Sequence, residues 1–249
     1  MIVVRSFIYQ VLFHLWTSII AIFGLPALIL PRAAVWAMSP LWSVGSFAIL
    51  RSIAKLGHRL EGTENIAANP VIYASKHQSA WDTMIYPHVL RNPIVVLKKE
   101  LLSIPFYGWY LKKYGSISID RRGGAKALRA MVQDARDAID AGRPIVVFPE
   151  GTRTAPGEHV KYQSGVAALY RELGVPVVPV ALNSGLFWRR RSYIRKPGTI
   201  VIRFLPAIPP GLDRKTFMVR LETAIEDAQA ELVGNQTDDP PEVHKSQHE

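Results

Sequence analysis

The stretch VIYASKHQSAWDT at positions 71–83 decides the fold, because it runs from a short apolar segment through a polar turn into the start of a helix. Residues 71–74 have the β-branched and aromatic composition of a buried strand. Ser79 and Asp82, three apart, form a capping-box pattern that opens a helix just beyond it. The same alternation recurs downstream. Candidate strands occupy residues 94–97, 116–119, 144–148, 177–182 and 199–204, each a short run rich in Val and Ile. Between them, residues 125–141 carry Leu128, Met131, Val132, Ala135 and Ile139 near helical spacing, with Gly142 as a stop. Residues 164–173 and 217–232 read as further helices. Strands alternating with helices predict an α/β fold, a mixed sheet covered by helices, over residues 58–233.

Upstream the pattern is different. Residues 6–30 contain no Lys, Arg, Asp or Glu, and a second uncharged run follows at 33–50. Each is close to the length that crosses a bilayer core of about 30 Å. The first run is longer than the roughly 7–15 apolar residues of a secretory signal, so retention is expected. Gly24 and Pro26 should kink the first run and Pro40 should break the second. Residues 1–57 therefore read as a membrane-associated helical hairpin, either dipped into one leaflet or spanning, with a buried hairpin of a soluble core as the bland alternative. Arg32, Arg51, Lys55 and Arg59 flank the second run and suit the cytoplasmic face of a membrane. Residues 234–249 are polar, include Pro240 and Pro241, and are expected to be a disordered tail.

The chain has 249 residues and no cysteine, which removes disulfides, thiolate metal sites and a Cys nucleophile. Lys plus Arg number 30 against 20 acidic residues, a formal net charge of +10, and such an excess favours phosphate-bearing partners. Nucleic acid is disfavoured, since a basic patch is its only support and no recognisable module accompanies it. No metal or cofactor is expected, because neither a His-Glu-x-x-His helix nor a phosphate-binding glycine loop occurs.

Two segments at strand ends carry chemistry-bearing residues, and that is where α/β folds place their sites. In the first, His77 and Asp82 are five apart. In a continuous helix they would point about 140° from each other. With the helix starting at Ser79, His77 lies in the preceding turn and can fold back onto the carboxylate, becoming an oriented general base. The alternative leaves Asp82 as a cap and His77 on the surface. The second segment, FPEGTRT at 148–154, has Gly151 for close backbone approach and Arg153 as a planar fork matched to phosphate oxygens. Glu150 is positioned by sequence to pair with Arg153 or to orient it. Lys98, Lys99, Arg121 and Arg122 follow strands and are expected at the same sheet edge. No serine elbow is present, so a covalent serine intermediate is unsupported.

The ordered blocks KHQSAWD, LKKELLSIPFYGW, GSISIDRR, FPEGTRT and VPVVPVAL resemble the 1-acylglycerol-3-phosphate acyltransferases, over about residues 60 to 205. The resemblance implies a fatty acyl group moved from an acyl-CoA or acyl carrier protein thioester to the sn-2 hydroxyl of a lysophospholipid acceptor, giving phosphatidic acid. It implies His77 as base and Asp82 as its orienting partner. Lys98, Arg121 and Arg153 would lie near the acceptor phosphate, with Glu150, Gly151 and Thr152 in the same substrate pocket. It also implies an α/β catalytic domain seated on membrane lipids by the hairpin. Lys76 departs from the family's usual Asn, and Ser118 from its usual aromatic or large apolar residue. Acylation of another lysolipid, such as a lyso-ornithine lipid, is the second enzymatic reading. A non-enzymatic basic membrane-binding protein is the alternative of another class, with Trp188, Arg189, Arg190, Arg191, Arg195 and Lys196 as its lipid-contact patch.

Overall fold

The computed structural model describes residues 1–120 and 122–238, with 235–238 as backbone only. The chain begins with α1 (Ile2–Phe23) and α2 (Arg32–Ile49), joined through a 3-10 turn at Leu25–Leu28. Gly24 and Pro26 end α1 outright. Pro26 opens the 3-10 turn, where its missing N–H has no partner to lose. Pro40, expected to break the second run, lies inside α2. The apolar stripe continues past it, and packing against α1 offsets one lost backbone bond. That packing is close: a Cβ on Gly45 would lie 2.4 Å from the Trp16 ring. The Trp16 indole N–H donates to the Trp42 carbonyl at 3.1 Å, and the Trp42 indole N–H donates to Thr17 Oγ1 at 3.0 Å.

A six-stranded sheet follows. Its strands are β1 (Leu56–Glu61), β2 (Ile72–Ser75), β3 (Ile94–Val95), β6 (Ile145–Val147), β7 (Val177–Leu182) and β8 (Gly198–Phe204), arranged β1-β8-β7-β2-β6-β3. All neighbours run parallel except β7 and β8, so the sheet is mixed. The intervening helices are α3 (Trp81–Met84), α4 (Tyr86–Val89), α5 (Tyr107–Tyr114), α6 (Gly124–Asp140), α7 (Ser164–Leu173) and α8 (Arg214–Asp238). Every residue of β2 and β7 is buried, as expected where helices cover both faces. Period-2 alternation sorts their side chains. Tyr73, Val146 and Val178 join Tyr9, Phe47, Leu50 and Trp81 on one face, whereas Ile72, Ala74, Ile145 and Val147 join Met131, Leu169, Phe217 and Leu221 on the other. The N-terminal helices thus contribute to the same core as the sheet.

Several expectations are corrected. The segment 94–97 is two strands: β3 pairs with β6, while β4 (Leu97–Lys98) pairs with β5 (Ser118–Ile119) in a separate two-stranded sheet. Lys98, Lys99 and Arg122 therefore do not lie on the edge of the main sheet. The boundary drawn after residue 57 falls inside β1, whose polar LGHRLE sequence hid an edge strand paired with β8. Helix α8 runs to Asp238, so residues 234–238 of the tail expected from 234 are helical, and the rest of that stretch lies outside the described residues. Arg195 is buried rather than part of an exposed patch. Its backbone N–H donates to Ser6 Oγ at 2.9 Å, Nη2 donates to Gln10 Oε1 at 3.0 Å, and the guanidinium sits 3.9 Å from the Trp188 ring centroid.

Ile2–Phe23 and Arg32–Ala54 are long and apolar enough to cross a membrane, with mean hydropathies of 1.6 and 1.5. Phe7, Val11, Leu15, Ile19 and Ile22 of α1 are exposed, in one near-helical series from Phe7 to Ile22. Because the Gly45 contact sets how closely the two helices approach, Gly45→Val should cost about 1–3 kcal/mol of stability. Thermal unfolding in detergent should fall by roughly 2–4 °C per kcal/mol. An unchanged midpoint would show that the two helices are free to separate.

Candidate active site

Parallel pairing of β2 with β6 and β7 brings three strand ends to one edge, and the candidate residues gather there. After β2, the Lys76 N–H donates to the Val180 carbonyl at 2.9 Å, which extends the ladder one residue. The chain then turns sharply through His77, Gln78 and Ser79 before α3 begins at Trp81. The cap expected at Ser79 falls at Ala80. Ser79 still contributes, since its Oγ donates to Asp82 Oδ1 at 2.9 Å and accepts the Trp81 N–H at 3.1 Å.

Asp82 does both jobs that sequence left as alternatives. Its Oδ2 accepts the backbone N–H groups of Gln78 at 2.6 Å and Ser79 at 2.8 Å, closing the turn, and also faces His77 Nδ1 at 2.9 Å. Its Oδ1 accepts from Ser79 Oγ and, at 2.5 Å, from Ser184 Oγ, delivered by the loop after β7. The side chain is fully buried, and burial pushes its pKa up. The bonds from His77, Ser184 and Ser79 outweigh that and hold it below the usual carboxylate range. An ionised Asp82 only accepts, so His77 Nδ1 carries a proton, and in the neutral ring Nε2 is then the nitrogen with the lone pair. The imidazole stacks on Phe148 at 4.0 Å between centroids and is 12 % exposed, so it is neither a surface residue nor sealed off.

The second segment leaves β6 beside the first. Gly151, at φ +66, makes the tight turn that returns its N–H to the Phe148 carbonyl at 2.9 Å. Thr154 then clamps the two segments together: its backbone N–H donates to the His77 carbonyl at 2.8 Å and its hydroxyl to Glu150 Oε1 at 2.8 Å. Glu150 is not paired with Arg153, against expectation. Its Oε1 also meets Lys76 Nζ at 2.6 Å, and its Oε2 accepts the His77 N–H at 2.8 Å. Glu150 is buried, so a carboxylate there needs donors inside the chain, and Lys76 is closer to hand than an arginine on the outer side of the turn. Burial raises its pKa, and the Lys76 ammonium opposes the rise.

Arg153 is half-buried, and its carbonyl accepts from Arg190 Nη1 at 3.2 Å. Burial raises the Tyr107 phenol, and the nearby Arg153 charge pulls it back, so α5 lies within electrostatic reach of Arg153. Thr152 is half-buried in the same turn. Lys98 is exposed on β4, in register with Ile119. No hydrogen bond or ion pair joins it to His77 or Arg153 among the described residues. Arg121 lies outside the described residues. Among the described residues no three His, Asp or Glu side chains converge as a metal-ligand set. Sequence reasoning missed Ser184, the role of Phe148 as a platform for the imidazole, and the partnership of Lys76 with Glu150. Phe148 alone left a signal, as the aromatic that opens the second segment.

The arrangement can orient a neutral imidazole and use it as a base. The acyltransferase family model matches residues 58–183, which contain His77, Asp82, Glu150 and Arg153. A 1-acyl-sn-glycerol-3-phosphate acyltransferase of Pseudomonas aeruginosa is 35% identical over 167 residues, covering 67% of this chain and 65% of that protein. One from Chlamydomonas reinhardtii is 27% identical over 85% of this chain and 63% of its own length. The human 1-acyl-sn-glycerol-3-phosphate acyltransferase beta is 29% identical over 57% of this chain and 52% of its own length. The chain thus spans between about half and two thirds of the length of these curated relatives. The crystal structure of the 1-acyl-sn-glycerophosphate (LPA) acyltransferase PlsC from Thermotoga maritima superposes with a TM-score of 0.77 at 21% identity, over 94% of this chain and 98% of that one, and shares the fold. With the family model matching half of its length, and the paired His77 and Asp82 inside the matched stretch, this chain belongs to the acyltransferase family.

Proposed function

We propose that the chain transfers a fatty acyl group from a thioester to the sn-2 hydroxyl of 1-acylglycerol-3-phosphate, giving phosphatidic acid. The observation that carries this reading is the His77 Nδ1 to Asp82 bond, which commits the opposite ring nitrogen to accepting a proton. His77 Nε2 removes the acceptor hydroxyl proton as the oxygen bonds to the thioester carbonyl carbon. The tetrahedral intermediate collapses with loss of the thiolate, which recovers the proton from the imidazolium. A thiolate with a parent pKa of about 8.5 leaves readily, so no acyl-enzyme is needed. Buried Asp82 offsets the charge that forms on the ring. Arg153 is the assigned grip on the acceptor phosphate, with Lys98 and Arg121 as further cations. Acyl-CoA or an acyl carrier protein thioester serves as donor.

We assign the membrane contact to the exposed apolar face of α1, lying in the interface of one leaflet on its cytoplasmic side. That face is supported by Phe7, Val11, Leu15 and Ile19, which are exposed, while the opposite side of α1 buries Ser6 and Tyr9 against the domain.

His77→Ala should fold normally and lose about 10²–10⁴-fold in turnover. Asp82→Asn should be severely impaired too, because an amide can hold the wrong tautomer and cannot stabilise the imidazolium. Product mass from purified protein, one acyl thioester and a panel of lysolipids checks both. A folded His77→Ala variant retaining half of wild-type turnover sinks the base assignment. Arg153→Ala should raise the acceptor KM by roughly 10- to 100-fold with the donor KM near wild type, and Lys should rescue only in part, since it restores charge without the fork. A loss confined to the donor KM would move Arg153 to the thioester's phosphates.

A further inference from the structure

The turn that carries His77 is held from behind by a buried ion cluster. Lys76 is fully buried, and its ammonium meets Glu150 Oε1 at 2.6 Å and the two oxygens of Glu226 at 2.7 and 2.9 Å. The Tyr162 hydroxyl donates to Glu226 Oε1 at 2.8 Å. Both partners of Lys76 are carboxylates from distant parts of the chain: Glu150 follows β6, and Glu226 is on α8. Glu150 is in turn bonded to the His77 N–H through Oε2 and to the Thr154 hydroxyl through Oε1. A continuous line of short contacts therefore runs from α8 through Lys76 and Glu150 to the backbone of the histidine.

A buried ion pair adds little net stability compared with apolar groups of the same size, but it has one geometry that satisfies every proton and lone pair. Here that geometry fixes the Glu150 carboxylate. An ammonium drawn to one side by Glu226 leaves Glu150 a single orientation in which Oε2 faces the His77 N–H. If the Glu226 charge is removed, Lys76 is free to follow Glu150, and the carboxylate is free to rotate off the turn.

We propose that Lys76 and Glu226 are positioning residues of the acyl-transfer site, setting the His77 turn through Glu150 and making its geometry depend on the docking of α8. The role rests on His77 being the base, and it is distinct from substrate binding, since Lys76 is sealed from solvent and reaches the surface only through Glu226, whose side chain is 14 % exposed beside His159.

The test uses the full-length chain in detergent and the variant Glu226→Gln, which keeps the shape of the side chain and removes its charge. Steady-state kinetics are read with hydrogen–deuterium exchange of peptides covering residues 75–83 and 150–155. Expected are a fall in kcat of about 10- to 100-fold, both KM values within about twofold, and faster exchange in those two peptides while residues 177–182 of β7 stay protected. Lys76→Asn combined with Glu226→Gln, which removes both charges, should not restore kcat. Wild-type kcat with wild-type exchange in a folded Glu226→Gln variant overturns the proposal. So does faster exchange everywhere, β7 included, because the pair would then be a general stabiliser. If Glu226→Gln does not fold, Glu226→Asp, which keeps the charge but withdraws it by one methylene, is judged by the same two readouts. Should the wild type acylate no lysolipid, the functional reading fails, while exchange at 75–83 and 150–155 still decides whether the pair holds this turn.

Discussion

The structure is organised around one buried carboxylate, Asp82, whose two oxygens accept five hydrogen bonds from His77, Gln78, Ser79 twice, and Ser184. An ionised group out of water is tolerated only when its lone pairs are met, and each bond to a charged partner contributes about 1.5–3 kcal/mol against being left unmade. Satisfying it forces the chain to do several things at once. The backbone after β2 must turn so that two consecutive N–H groups point inward. The loop after β7 must deliver a hydroxyl. The imidazole must offer Nδ1, which leaves the other nitrogen for chemistry.

Sheet topology makes this convergence possible. Because β2 lies between β6 and β7 and all three run parallel, their C-terminal ends open on one side, and three loops far apart in sequence become neighbours. Each loop contributes a different function: orientation from 76–82, cross-bracing and a cation from 148–154, and the last donor to Asp82 from Ser184. Thr154 and Glu150 tie the first two loops together through His77 itself, by its carbonyl and its N–H.

The N-terminal hairpin takes part in the same structure. Tyr9 and Phe47 pack in one core with Trp81 and Tyr73, and Arg195, further along the segment that supplies Ser184, is bonded to Ser6 and Gln10 of α1. The element assigned to the membrane and the loop that completes the Asp82 site are thus physically joined.

Sequence alone determined what is local. Short β-branched runs located β2, β6, β7 and β8, and 3.6-residue patterning located α6 and α7, to within a few residues, because burial writes itself into the composition and spacing of near neighbours along the chain. It also picked out the pairing of His77 with Asp82, whose types and spacing at a strand end carry chemical meaning before any contact is known. What it missed was decided by contacts between distant residues. β1 is a polar edge strand whose partner β8 lies more than a hundred residues away, and the 94–97 run divides because two different strands compete for its halves. Glu150 pairs with Lys76 instead of its sequence neighbour Arg153, and Ser184 reaches Asp82 across 102 positions. Such choices depend on which donor the folded chain brings within about 3 Å of a buried charge, and spacing along the sequence does not encode that.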